Sequence, residues 1–131
     1  ARHWLIGDDV WTPNIPNDAL RYMANPTQDG DSLDMYWDYS AGVDVHYSSG
    51  ISNLAFYLLS QGGTHPTGRT TQVVAGIGIE KAAQIFYKAN ADILTPSSTF
   101  LAAKTATEQA AAQLGYDAAT IESVSNAWKA V

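Results

Sequence analysis

From Ile51 to the end of the chain, apolar residues return every three or four positions, the period of one face of an α-helix. Ile51, Leu54, Ala55, Leu58 and Leu59 form the first such stripe, with Ser48-Ser49-Gly50 offering a cap before it and Gly62-Gly63 stopping it. A loop rich in Gly, Thr and Pro follows, from Gly62 to about Gly78. A second helix is predicted with Ala82, Ile85, Phe86 and Ala89 on one face, ending near Leu94-Thr95-Pro96. Ser97 and Ser98 can cap a third, running through Phe100, Ala103, Ala106, Ala110 and Leu114, whose alanines favour helix and permit close packing. Gly115 closes it, Asp117 can cap a fourth, and Ile121, Val124, Ala127 and Trp128 form that helix's stripe. No repeat recurs at a period of about 20 to 50 residues. The expected fold is mainly α: one domain over residues 1–131, with a loop-rich segment to about residue 47 and a small helical bundle from about residue 48.

The leading segment has a different composition. It holds three of the five prolines, three of the four tryptophans and eight of the thirteen acids. Turn formers cluster in Gly7-Asp8-Asp9, Thr12-Pro13-Asn14, Asn25-Pro26 and Asp29-Gly30-Asp31, so the segment reads as irregular chain with one short helical turn near Asp18 to Met23. Loops of this length are uncommon in a compact domain and tend to be functional. A net charge of −6 disfavours nucleic acid as a partner, because phosphate recognition needs a basic face. No stretch reaches the roughly 18 apolar residues of a membrane helix, so no membrane partner is expected. The absence of cysteine excludes disulfides, thiolate zinc sites and a cysteine nucleophile, and leaves the compartment open. The chain starts at Ala1 without methionine, as expected of a piece of something longer.

Chemistry concentrates at a few positions. In Val43-Asp44-Val45-His46 the carboxylate lies two residues before the imidazole, and in an extended stretch both side chains would share a face. A neighbouring carboxylate fixes the histidine tautomer and favours the imidazolium, a good donor to a developing oxyanion. The spacing alone is common. Arg21 sits among apolar residues in Ala19-Leu20-Arg21-Tyr22-Met23, either covering hydrophobic surface or presenting a planar fork to a carbonyl or carboxylate. Asp29, Asp31 and Asp34 lack the glutamate that would complete an EF-hand and read as solvated turn acids. No two histidines are four residues apart, so the His-Glu-x-x-His zinc helix is absent. There is no Gly-x-Ser-x-Gly elbow and no phosphate loop, and Gly76-Ile77-Gly78 lacks the third glycine of a dinucleotide fingerprint.

Taken together the motifs say more. The run from Val43 to Asn53, followed by Ala55-Phe56-Tyr57-Leu58-Leu59, resembles the histidine segment of the thermolysin-like zinc metalloproteases. Its Asp-Val-His-x-Ser-Ser-Gly form is similar to that of the vibriolysin and pseudolysin branch. Ile6-Gly7-Asp8-Asp9-Val10-Trp11-Thr12-Pro13 and Leu20-Arg21-Tyr22-Met23 precede it in the family's order. Gly76 to Ala82, Ile85 to Ala89, Leu94 to Phe100 and the closing Ala127 to Val131 follow, so the resemblance covers the whole chain.

The resemblance implies roles for matched positions. His46 corresponds to the histidine that hydrogen-bonds the oxyanion of the tetrahedral intermediate, and Asp44 to the carboxylate that orients it. Arg21 corresponds to the arginine that holds a substrate carbonyl. Ile6, Val10 and Leu20 match apolar positions of a pocket that prefers bulky hydrophobic residues after the scissile bond. Trp11, Thr12, Ile15 and Asp18 match a calcium site of oxygen ligands. At His3 the family often has a calcium-binding aspartate and at Leu5 thermolysin has a glutamate, so of the double calcium site only Asp8 keeps a carboxylate here. Leu54 replaces a common basic residue. The family's zinc ligands and general base all precede the region of resemblance.

The resemblance therefore implies the C-terminal helical domain of a secreted zinc endopeptidase, inactive alone. Its partners would be a peptide or protein substrate and the N-terminal catalytic half, which supplies the zinc. The alternative is a stand-alone, non-catalytic helical module that binds calcium or a protein.

Overall fold

The computed structural model describes residues 4–131. Four helices form its body: α1 (Val45–Gln61), α2 (Ile79–Lys88), α3 (Phe100–Gln113) and α4 (Ala118–Lys129). The mainly α bundle expected from the apolar spacing is present. Helix α1 is its axis, packed against α2 and α4, while α3 lies on α2 and α4. The stripe read from the sequence is the buried one: Ile51, Leu54, Ala55, Leu58 and Leu59 are at most 1% exposed. Each of the larger side chains contributes about 1.5–3 kcal/mol by leaving water. Leu54, where a basic residue is common in the resembling family, is fully buried and belongs to this core. On α3 the core contacts are made by Ala106, Ala110 and Ala111, small enough to bring the helix close to its neighbours.

Several helix ends differ from expectation. Helix α1 starts a turn earlier than the Ser48-Ser49-Gly50 cluster, because Asp44 is its N-cap and accepts the backbone N–H of His46. Helix α3 is capped by Thr99, whose side chain accepts from the Ala102 N–H, and not by Ser97 or Ser98. Asp117 caps α4 as expected, accepting from the Thr120 N–H. A π-helical turn, Ala89–Ile93, extends α2 towards Leu94.

The leading segment is irregular but fastened. Its expected helical turn near Asp18 to Met23 is instead a strand: β2 (Arg21–Tyr22) pairs antiparallel with β1 (Leu5–Ile6), Leu5 opposite Tyr22 and Ile6 opposite Arg21. Tyr22 is buried, and that burial outweighs any local helical preference. A strap from Pro26 to Asp38 then crosses the start of α1. The Leu33 N–H donates to the Tyr47 carbonyl (3.0 Å), and Gly50 lets the strap lie on the helix. A β-carbon at Gly50 would sit 2.2 Å from the Leu33 carbonyl oxygen and 3.0 Å from Pro26 Cβ. Further along, the Tyr36 N–H donates to the Val131 carbonyl (2.7 Å), tying the strap to the end of α4.

Four aromatic rings cross the body in a row. Trp4 lies 6.0 Å from Phe56 on α1, Phe56 packs edge-on against Phe86 on α2 at 5.1 Å, and Phe86 stacks on Trp128 of α4 at 6.0 Å. The Trp128 indole N–H donates to Thr107 Oγ1 (2.9 Å), satisfying its polar end on α3.

Candidate functional site

The first turn of α1 carries the candidate histidine. Asp44 Oδ1 accepts the His46 backbone N–H at 2.9 Å and lies 2.6 Å from His46 Nδ1. The expected pairing is therefore present, but its geometry comes from a helix N-cap and not from an extended stretch. One carboxylate oxygen both starts the helix and fixes the ring. The His46 backbone N–H and then its imidazole hold the Asp44 carboxyl below the ordinary carboxylate value of 3.8. With Nδ1 turned to Asp44, Nε2 is left for another partner. With a proton on Nδ1, it can donate there only when the ring carries a second proton on Nε2. Both side chains are open to solvent, at 75% for His46 and 56% for Asp44.

Arg21 reaches the same turn from β2. Its Nε donates to the His46 carbonyl (3.2 Å) and Nη1 to the Leu20 carbonyl (2.7 Å), and the guanidinium lies 5.4 Å from the centre of the Tyr47 ring. Asp29 Oδ2 stands 3.7 Å behind Nε. The guanidinium is thus held by backbone carbonyls of the chain itself, with its side chain 20% exposed. Neither hydrogen bond uses Nη2, which makes none among the described residues.

The three expected pocket residues are all exposed around the β1–β2 ribbon. Pairing of Ile6 with Arg21 puts both side chains on one face of the ribbon. Gly7 turns the chain at φ 78°, and a β-carbon there would lie 3.2 Å from Leu20 Cβ and 3.8 Å from Val10 Cγ2. Ile6, Leu20 and Val10 are 42%, 39% and 80% exposed.

The oxygen-ligand positions are partly gathered. Thr12 Oγ1 donates to Asp18 Oδ2 at 2.7 Å, while Asp18 Oδ1 accepts from the Tyr22 hydroxyl (2.6 Å) and the Ala19 N–H (3.1 Å). The Tyr22 and Thr12 hydroxyls lower the Asp18 pKa, so the carboxylate stays ionised, and Asp18 in turn raises that of Tyr22. The Ile15 carbonyl accepts the Asp18 N–H (3.3 Å), and the exposed Trp11 donates its N–H to the Gly7 carbonyl (2.9 Å). Asp8 joins none of the hydrogen bonds around Asp18. His3, the other position raised for a second cation, lies outside the described residues. Among the described residues, no group of three or more His, Asp or Glu side chains could hold a metal ion.

Two of the acids expected to be solvated turn residues are not. Asp34 is 1% exposed, with Nη1 of Arg69 3.1 Å from its Oδ1 and Nε2 of His65 donating to its carbonyl (3.1 Å). Arg69 also pairs with Asp38, and Thr67 donates its N–H to His65 Nδ1 (3.3 Å). The side chain of Asp29 is 7% exposed and accepts the N–H groups of Asp31 (2.9 Å) and Ser32 (2.7 Å) and the Ser32 hydroxyl. Only Asp31 remains the exposed turn acid. The partners of Asp34 lie 31 and 35 positions away, beyond any local pattern. The one signal was scarcity: the chain has three arginines, and both described ones close on acids of the strap.

Comparison with known proteins places this geometry in context. Residues 1–131 match the model of the thermolysin metallopeptidase α-helical domain. The chain is 44% identical over 132 residues to the thermolysin of Alicyclobacillus acidocaldarius subsp. acidocaldarius, with 98% of this chain and 23% of that protein covered. It is 43% identical to the bacillolysin of Bacillus caldolyticus, covering 98% and 24%, and 38% identical to the transglutaminase-activating metalloprotease of Streptomyces mobaraensis, covering 98% and 18%. The chain thus spans about a quarter or less of the length of these relatives.

Proposed function

Because the chain belongs to the thermolysin metallopeptidase family, as its α-helical domain, we propose that it is the C-terminal part of a secreted zinc endopeptidase. In this reading it supplies transition-state and substrate contacts but no zinc ligand. The observation that carries the reading is the joining of three groups at one helix start: Asp44 fixes the His46 ring, and Arg21 is anchored on the His46 carbonyl.

Each side chain then has a task. His46, as the imidazolium, donates from Nε2 to the oxygen of the attacked carbonyl as negative charge grows there. Asp44 holds Nδ1–H and keeps the ring in place, so no reorganisation is needed when the charge develops. Arg21 offers its remaining N–H groups to a substrate carbonyl, setting the peptide's register. The exposed aliphatic side chains of Ile6, Val10 and Leu20 receive a bulky hydrophobic residue on the leaving side of the scissile bond, favouring cleavage before such residues. Zinc does not fit the residues present, so its ligands belong to the rest of the parent protein, the N-terminal half that is this domain's partner. Calcium does fit Thr12 Oγ1 and Asp18, a converging pair of hard oxygen donors, with carbonyls of Trp11 and Ile15 nearby in sequence. Asp8 is the carboxylate this chain would bring to the separate double calcium site.

The test is complementation. Adding this chain to a purified N-terminal half should restore peptide hydrolysis, and His46→Ala should lower the turnover of the reconstituted or intact enzyme by about 10²–10³. Restoration that is indifferent to His46→Ala would overturn the role given to it.

A further inference from the structure

We propose that Asp29 is a positioning residue that sets the direction of the Arg21 guanidinium, and through it the register in which a peptide is held. The inference rests on the role proposed for Arg21. Arg21 has a long side chain with many rotamers, and its two hydrogen bonds go to neutral backbone carbonyls, so among the described residues Asp29 is the anion that its charge meets. Asp29 Oδ2 stands 3.7 Å from Nε, with the carboxylate 7% and the guanidinium 20% exposed. At that depth the attraction is less screened than between surface charges.

The carboxylate is itself immobile. The Asp31 N–H, the Ser32 N–H and the Ser32 hydroxyl all donate to it, closing a turn on the strap. Burial pushes its pKa up, but these donors and the Arg21 charge outweigh burial and leave it lowered, so Asp29 stays charged at neutral pH. Tyr47 bounds the guanidinium with its ring. Arg21, Asp29 and Tyr47 line one cavity of about 300 Å³ with Trp11, Asp18 and Gln28. A fixed anion beside Nε leaves Nη2, which makes no hydrogen bond among the described residues, for a substrate carbonyl.

The experiment is a double-mutant cycle in the intact parent enzyme, with kcat and KM measured separately on a short peptide substrate. Asp29→Asn keeps the shape and removes the charge. It should raise KM about tenfold with kcat changed less than twofold, since misplacing a binding group by a fraction of an ångström costs on that scale. Arg21→Met should weaken binding more, and Asp29→Asn added to it should do nothing further. Ser32→Ala is the control: the Asp31 and Ser32 N–H groups still hold the carboxylate, its charge stays near Arg21, and KM should stay within twofold. Equal losses from Asp29→Asn in both backgrounds, or a Ser32→Ala loss matching that of Asp29→Asn, would mean a merely structural turn and overturn the proposal. If Arg21→Met acts and Asp29→Asn does not, only the role of Asp29 fails. If Arg21→Met itself has no effect, the reading of Arg21 fails with it.

Discussion

Replacing Gly50 by alanine sets two effects of opposite sign against each other. Within an ordinary helix the change stabilises by about 1 kcal/mol, because glycine loses more backbone freedom on folding. Gly50 is in the second turn of α1, and its propensity alone favours the substitution. The strap decides otherwise. The new methyl carbon would lie 2.2 Å from the Leu33 carbonyl oxygen, 3.0 Å from Pro26 Cβ and 3.2 Å from Ser32 Cβ, and the first of these is backbone that cannot rotate away. Relief requires the strap to lift by about 1 Å, at an overpacking cost of about 2–3 kcal/mol. It also weakens the Leu33 N–H to Tyr47 carbonyl bond, worth about 1 kcal/mol. The net expectation is a loss of about 2 kcal/mol, or roughly 8 °C in melting temperature for a chain of this size. Urea unfolding followed by circular dichroism, with calorimetry alongside, measures both. A Gly50→Ala variant as stable as the parent sequence or more so would refute the strap's contact with α1.

Two further outcomes follow from the charges. Asp18, Asp29, Asp38, Asp44 and Asp117 all have pKa values lowered from 3.8 in the folded chain. Their stabilisation is complete above that ordinary value and is lost as pH falls through the lower folded-state values, so the urea midpoint should hold steady from pH 7 to 5 and drop below pH 4; a midpoint unchanged down to pH 2 would contradict these contacts. His65→Leu should cost about 3 kcal/mol by removing the donor to Asp34 and the acceptor of the Thr67 N–H, whereas His65→Gln should recover at least half of that; equal stabilities of the two variants would show that the ring acts only by its volume.

The helices were legible because burial follows the three-and-four spacing that the sequence displays, and Asp117 stood alone as a cap former in its place. The start of α1 was not, since Val45, His46 and Tyr47 form an exposed or half-exposed first turn without an apolar rhythm, and Ser48-Ser49-Gly50 offered three better-known cap residues. Gly50 is glycine for a contact with a segment 17 residues upstream, which no local rule encodes. The Asp44–His46 pair was visible as two neighbours, though the reason for their meeting is the helix cap. Arg21 stayed ambiguous in sequence because its partners, His46 and Asp29, are brought to it only by the strand and the strap. The buried Asp34 was misread with its neighbours for the same reason: its partners arrive from the loop beyond α1.

The row of aromatic rings gives the chain an optical signature divided by region. Trp128 is stacked on Phe86 within the bundle, whereas Trp4 touches the bundle only from the leading segment, with Tyr57 5.0 Å away as an energy donor. Trp11 and Trp37 are open to water and emit accordingly, at 58% and 83% exposure. Release of the leading segment would expose the buried Trp4, while melting of the helices would unstack Trp128 from Phe86. Single Trp4→Phe and Trp128→Phe variants would therefore assign each change in emission to the segment or to the bundle.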